Sequence, residues 1–223
     1  MTAVSGREKA RAILTGLYPI VDVGPGMSER GTILFVRAFA IPGVKLVQLR
    51  CKGISDRAFY EVAGGVAATA RGLGLALIIN DRPDIAAAVQ ADGVHLGTDD
   101  LPRAAARRVL APGSMIGRST DTPEEARLAA DAGADYVAWG AVFPTTTKPD
   151  AAPQEGPAAL ARVRAALPSD VPLVAIGGIT LDRLPDIADA GAQAFAVIGA
   201  LRDAPDPESA ARKLVTAWKS AHR

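Results

Sequence analysis

The sequence has little of several features that define common protein classes. It contains one cysteine, Cys51, among 223 residues, which excludes an intramolecular disulfide and a metal site built from several cysteines. Its net charge is only +1, so it carries no overall basic field for nucleic acid. It has no signal-peptide pattern, and no apolar run approaches the roughly 20 residues of a membrane span. These absences predict a cytoplasmic protein that binds neither nucleic acid nor a membrane.

The chain also lacks a linker. Its 22 glycines and 16 prolines are scattered singly rather than gathered into one tract. Hydrophobic residues make up 49% of the sequence, enough at this length for one large core. We therefore predict one domain over residues 1–223.

Eight short apolar runs recur along the chain, each with the length and composition of a strand buried on both faces. Stretches with helical spacing separate them, so the pattern predicts an α/β fold with a parallel sheet. Eight such units in a domain of this size predict a closed (β/α)8 TIM barrel. An open doubly wound sheet is the alternative, disfavoured because no GxGxxG follows the first run. The runs are residues 17–21, 45–49, 75–79, 92–96, 114–118, 135–139, 172–176 and 194–198.

Two helix starts are also predicted. Thr122 begins the sequence TPEE, a capping box with proline at the first helical position. Asp182 is a second candidate for a helix cap.

Barrel enzymes carry their active sites at the carboxyl ends of the strands, so polar residues just after the runs are candidates. Gln48, Arg50 and Lys52 share one parity after the second run and would face the barrel mouth. An amide and two cations there suit a polyanion. A pair of exposed charges is the alternative, disfavoured because inward-facing cations without partners are costly.

Two carboxylates follow neighbouring runs. Asp81 follows the third run and Asp100 the fourth, and together they predict a Mg²⁺ site. The alternatives are a turn residue at Asp81 and a helix N-cap at Asp100. His95, on the fourth run, is predicted to be packed and hydrogen-bonded without a chemical role.

The later strand ends carry hydroxyls, a lysine and glycines. Ser119 follows the fifth run, and a long loop with hydroxyls and a lysine follows the sixth, as in a lid over an anion. Glycines after the seventh and eighth runs predict a phosphate cup. No Cys–His or Ser–His pairing is expected, so two anion sites predict the joining of two phosphorylated molecules. The loop and cup residues are Thr145, Thr147, Lys148, Gly178 and Gly199.

At these residues the chain resembles the thiamine phosphate synthase family. Eight motifs match in order over about residues 17–201. They are LYPIVD (17–22), VQLRCK (47–52), IINDRPDIA (78–86), DGVHLGTDDLP (92–102), IGRSTDTPEEA (116–126), DYVAWGAVFPTTTKP (135–149), VAIGGIT (174–180) and AVIGAL (196–201).

The resemblance implies a transferase that joins 4-amino-5-hydroxymethyl-2-methylpyrimidine diphosphate to a thiazole phosphate, giving thiamine phosphate and diphosphate. It implies Mg²⁺ held by Asp81 and Asp100, and it leaves a homo-oligomer open. The residues implied for the pyrimidine diphosphate are Gln48, Arg50, Lys52, Asn80, Ser119 and Lys148. Those implied for the thiazole phosphate are Thr145, Thr147, Gly178, Ile198 and Gly199. The expected catalytic residues are Arg50, Lys52, Ser119 and Lys148.

Two other functions are weighed against this one. The related thiazole tautomerase shares the fold, but it relies on a His at the position of Asp121 and lacks the paired Asn80–Asp81 and the lysine loop. A catalytically silent barrel that binds thiamine phosphates would have lost a metal aspartate or Lys148, and neither is lost. Departures from the family pattern occur at Cys51 (often Glu), Thr98 (usually Gln), Ala141 (commonly Pro) and Gly199 (commonly Ser).

Overall fold

The computed structural model describes residues 4–145 and 156–221. Eight parallel strands pair in chain order, and the first pairs with the last, so the sheet closes into a barrel. The predicted (β/α)8 barrel is confirmed. The strands are β1 (Gly16–Val23), β2 (Leu46–Cys51), β3 (Ala76–Asn80), β4 (Gly93–Leu96), β5 (Met115–Thr120), β6 (Tyr136–Trp139), β7 (Leu173–Ile176) and β8 (Ala194–Val197).

Helices alternate with the strands and pack around the barrel. Among the described helices, none is both long and apolar enough to cross a membrane. That residues 1–223 form one domain stays a prediction. The helices are α1 (Gly6–Ile13), α2 (Glu29–Arg37), α3 (Asp56–Gly72), α4 (Pro83–Ala88), α5 (Arg103–Val109), α6 (Pro123–Asp131), α7 (Gly156–Ala166), α8 (Leu184–Asp189), α9 (Gly199–Arg202) and α10 (Pro207–Ala221).

The two predicted helix starts have different outcomes. Thr122 caps α6 and accepts a hydrogen bond from the Glu125 backbone N–H at 3.1 Å. The Glu125 carboxylate, however, accepts from the backbone N–H of Asp121 at 2.9 Å and not from that of Thr122, so only the first hydrogen bond of the predicted capping box forms. The prediction for Asp182 is wrong, because it lies within the 3-10 turn Leu181–Arg183.

Alternation along the strands sorts the side chains into two cores. In β2, Val47 and Leu49 pack outward against the helices, whereas Leu46 packs inside the barrel and Gln48 and Arg50 line its open mouth. In the other strands, the side chains of inward parity form a separate apolar cluster in the lower part of the barrel interior.

Helix α1 closes the amino-terminal end of the barrel. Its Ala10 and Leu14 join the interior cluster, and Arg7 binds Asp170 at 3.0 Å and the Ala134 carbonyl at 3.0 Å. Because this end is filled by apolar side chains, the interior opens at the carboxyl ends of the strands. The members that the strands contribute to this cluster are Tyr18, Ile20, Leu46, Ile78, Met115, Tyr136, Ala138, Val174, Ala194 and Ala196.

Candidate active site

A cavity of about 790 Å³ lies at the carboxyl end of the barrel. Every candidate site residue within the described ranges lines this one cavity, whereas Thr147 and Lys148 lie outside those ranges. The roles assigned to these residues stay predictions. The residues brought together are Gln48, Arg50, Lys52, Asn80, Asp81, Asp100, Ser119, Thr145, Gly178, Ile198 and Gly199.

The two cations that follow β2 both have carboxylate partners. Arg50 forms an ion pair with Asp22, which lies directly opposite it in the register of β1 and β2. The Lys52 ammonium lies 2.5 Å from the Asp81 carboxylate. These partners offset the cost of placing the cations at the barrel mouth. Sequence reasoning missed Asp22, although the inward parity of Arg50 could have prompted a search for its partner.

Asp81 and Asp100 are held at the rim by their local backbones. Asp81 follows β3 with a left-handed φ of 64°, and its N–H donates to the His95 carbonyl at 2.8 Å. The Asp100 carboxylate accepts from the Gly97 N–H at 2.6 Å. Pro102, not Asp100, takes the cap position of α5, so the N-cap alternative for Asp100 is wrong.

The carboxyl groups of Asp81 and Asp100 share a hydrogen bond, and their pKa values are shifted in opposite directions. Burial acts to raise the pKa of Asp81, but hydrogen bonds from Asp100 and Lys52 outweigh it and hold the pKa below its usual value. Burial, together with the neighbouring Asp81, holds the pKa of Asp100 above its usual value. The pair therefore concentrates negative charge that a proton or a cation can neutralise.

This donor set fits Mg²⁺, which takes one or two protein carboxylates and completes its coordination with water and substrate phosphates. Within residues 4–145 and 156–221, no group of three or more His, Cys, Asp or Glu side chains is placed to share a metal ion. A Mg²⁺ ion held by Asp81 and Asp100 would take the rest of its coordination from water or from a bound molecule.

Ser119 and His95 form a pair that the sequence argument did not expect. The His95 Nε2 lies 2.9 Å from the Ser119 Oγ, so the expectation of no Ser–His pairing is wrong. The other ring nitrogen lies 3.1 Å from the Tyr136 hydroxyl, which confirms that His95 is packed and hydrogen-bonded. A Ser–His–Asp triad would present a carboxylate at that ring nitrogen, where this protein presents the Tyr136 hydroxyl.

The loops after β6 and β7 form another wall of the cavity. Gly178 has a φ of 62°, and a Cβ there would lie 2.4 Å from the Pro144 carbonyl, so only glycine fits without rearrangement. Arg183 donates to the Gly178 carbonyl at 2.5 Å, and its guanidinium lies 4.5 Å from the centre of the Phe143 ring. Arg183 thus adds a cation to this wall that no sequence motif indicated.

The fold and the cavity together define a class. A parallel barrel whose carboxyl end gathers arginines, a lysine, paired carboxylates and glycine-backed loops is an enzyme scaffold suited to phosphorylated small molecules.

Comparison with known proteins gives the family. The family model of thiamine monophosphate synthase matches residues 17–201. The chain is 48% identical to a thiamine-phosphate synthase of Syntrophomonas wolfei, over 91% of this chain and 96% of that protein. It is 43% identical to the thiamine biosynthesis bifunctional protein ThiM/ThiE of Symbiobacterium thermophilum, over 92% of this chain but only 44% of that longer protein.

A solved structure agrees with the sequence comparison. The thiamine phosphate pyrophosphorylase of Pyrococcus furiosus superposes with a TM-score of 0.81 at 31% identity, over 94% of this chain and 98% of that one. The chain belongs to the thiamine monophosphate synthase family, which confirms the resemblance found in the sequence and places it among transferases.

Proposed function

We propose that the chain transfers the 4-amino-2-methylpyrimidin-5-ylmethyl group from its diphosphate to a thiazole phosphate, with Mg²⁺ as cofactor. The products are thiamine phosphate and diphosphate. The observation that carries the proposal is that one cavity at the barrel mouth gathers the described residues expected for both anionic substrates. Two reactants that must meet need their binding sites to share one space.

The first substrate would bind along the β2, β3 and β5 strand ends. Lys52 and Arg50 supply positive charge, and the Ser119 hydroxyl can donate to a phosphate oxygen. When the bond between the methylene carbon and the diphosphate oxygen breaks, its electron pair leaves with the diphosphate. The cations stabilise that growing negative charge, and one such electrostatic group typically contributes about 3–4 kcal/mol.

Asp81 and Asp100 would hold the Mg²⁺. When bound, the ion supplies positive charge against the departing diphosphate. Lys52, whose ammonium lies 2.5 Å from the Asp81 carboxylate, would contact the same phosphate oxygens. The cation site and the lysine therefore serve the same leaving group.

The substitution would be dissociative. Loss of diphosphate leaves a carbocation on the methylene group, which the pyrimidine amino group stabilises, and the thiazole nitrogen then attacks it. The nitrogen supplies the bonding electron pair, so no protein general base is needed. The chain's contribution is to orient the thiazole through Thr145, Gly178 and Gly199, and orientation can supply roughly 7–11 kcal/mol.

The test is a reconstitution with the purified chain, both phosphorylated precursors and Mg²⁺, with thiamine phosphate measured by chromatography. We expect the product only when both precursors are present. The double variant Asp81→Ala with Asp100→Ala should keep the fold and lose Mg²⁺-dependent turnover. Because Ser119 and His95 are paired at 2.9 Å, hydrolysis is the competing outcome. Diphosphate release from the pyrimidine substrate alone, without thiamine phosphate, would contradict the proposal.

A further inference from the structure

Five polar side chains form one continuous hydrogen-bonded chain across the floor of the cavity. The Gln48 amide donates to the Tyr18 hydroxyl at 3.0 Å, and the Tyr18 and Tyr136 hydroxyls lie 3.0 Å apart. The Tyr136 hydroxyl then meets His95 Nδ1 at 3.1 Å, and His95 Nε2 meets Ser119 Oγ at 2.9 Å. The chain thus joins two residues expected to contact substrate, one on β2 and one on β5.

Tyr136 is the central member of this chain, and the barrel is built to admit it. Its ring is fully buried, packs edge-on to Tyr18 and stacks on His95 at a centroid distance of 5.5 Å. Gly117 lies opposite Tyr136 on β5, and a Cβ at that position would come within 2.0 Å of the Tyr136 ring. Glycine at 117 therefore leaves the space in which the phenol reaches its partners.

With the Gln48 amide nitrogen as the donor to Tyr18, the hydrogen-bonded chain has one direction in which every hydroxyl proton finds an acceptor. Burial raises the pKa of both phenols, so both hydroxyls stay protonated and must donate. Tyr18 accepts from Gln48 and donates to Tyr136, which donates to His95 Nδ1. The His95 Nε2 then carries the ring proton and donates to Ser119. The Ser119 proton is thereby directed toward an acceptor in the cavity.

We propose that Tyr18, Tyr136 and His95 are positioning residues that orient Gln48 and Ser119 toward the pyrimidine diphosphate. The proposal rests on the proposed function for the identity of that substrate. Because Ser119 accepts a hydrogen bond from His95, its own hydroxyl proton is free to donate to a phosphate oxygen of the substrate. Because the Gln48 amide nitrogen donates to Tyr18, the amide is held in one orientation toward the substrate. Breaking the chain at its centre should therefore disturb one substrate more than the other.

The first test is Tyr136→Phe, which keeps the ring and removes the hydroxyl shared by two links of the chain. We expect kcat/KM for the pyrimidine diphosphate to fall by about 10- to 100-fold. The KM for the thiazole phosphate should stay within about twofold. Tyr60→Phe, the same change at a half-exposed position on α3, is the control and should match the wild type.

The second test is the ¹⁵N NMR spectrum of the histidines in the protein without substrates. The protein has two histidines, His95 and His222, so the variant His222→Gln assigns the signals. We expect a neutral His95 ring protonated at Nε2, and we expect Tyr136→Phe to shift its Nδ1 signal. A wild-type ring protonated at Nδ1, or wild-type kinetics in Tyr136→Phe, would overturn the inference. A wild-type protein that makes no thiamine phosphate would instead contradict the proposed function.

Discussion

Replacing Asp100 with asparagine tests the proposed cation site with little change in shape. The asparagine oxygen can still accept from the Gly97 N–H, which the carboxylate binds at 2.6 Å. Its amide can donate to Asp81, whose carboxyl now shares a hydrogen bond with Asp100. We therefore expect the free energy of unfolding to change by less than about 1 kcal/mol. The variant loses one of the two negative charges that would face the ion.

The magnitude follows from the geometry of the pair. Two carboxylates close enough to share a hydrogen bond can both contact one Mg²⁺ at about 2.1 Å. At this distance the Coulomb attraction between a carboxylate and a divalent ion is large, but the hydration that both groups give up offsets most of it. We expect about 3 kcal/mol to remain, which corresponds to a loss of about 100-fold in kcat/KM at limiting Mg²⁺.

The assay is the initial rate of thiamine phosphate formation across a Mg²⁺ titration. The expected result is a higher Mg²⁺ requirement in Asp100→Asn, with partial rescue at high concentration. Asp189→Asn makes the same change on the exposed surface of α8 and should follow the wild-type curve. Identical Mg²⁺ curves for the wild type and Asp100→Asn would refute the assignment of this carboxylate.

Three further changes test other parts of the account. Burial raises the pKa of the Cys51 thiol to about 12, so we expect alkylation at pH 8 to be at least about 100-fold slower in the folded than in the unfolded protein. Cys51→Ser should be tolerated, and a loss of turnover of about 100-fold would contradict this. Lys148→Ala should lower turnover far more than it lowers affinity for the thiazole phosphate; equal losses would mean that this lysine only binds. Arg183→Ala removes the contacts with Gly178 and Phe143, so we expect about 1–2 kcal/mol less stability in thermal unfolding and a higher KM for the thiazole phosphate. An unchanged melting temperature would show that these contacts contribute nothing.

The barrel could be predicted from the sequence because strand parity and strand ends are local properties. The inward parity of Gln48 and Arg50 follows from the period of two along β2. Asp81 and Asp100 each follow a strand, and parallel strands end at the same rim, so the two were predicted to lie together there. Their carboxyl groups share a hydrogen bond in the structure. Both features depend only on short segments and on the rule that parallel strands end together.

The contacts between segments could not be predicted in the same way. Ser119 and His95 lie 24 positions apart, and their pairing depends on the stagger of β4 against β5, which places His95 opposite Gly117. The position of Arg183 over Phe143 depends on two irregular loops that have no periodicity. The stagger of the strands and the conformation of the loops depend on the packing of the whole barrel, so they cannot be predicted from a single sequence motif.

The central claim is that two anionic reactants bind side by side in one cavity at the barrel rim, with a divalent ion beside the diphosphate. A crystal structure of the protein with Mg²⁺, diphosphate and thiamine phosphate tests it most directly. The account predicts an ion at about 2.1 Å from oxygens of Asp81, Asp100 and the diphosphate, and the thiamine phosphate group beside Gly178. An ion bound away from these two aspartates, or both anions bound at the same residues of the cavity, would contradict it.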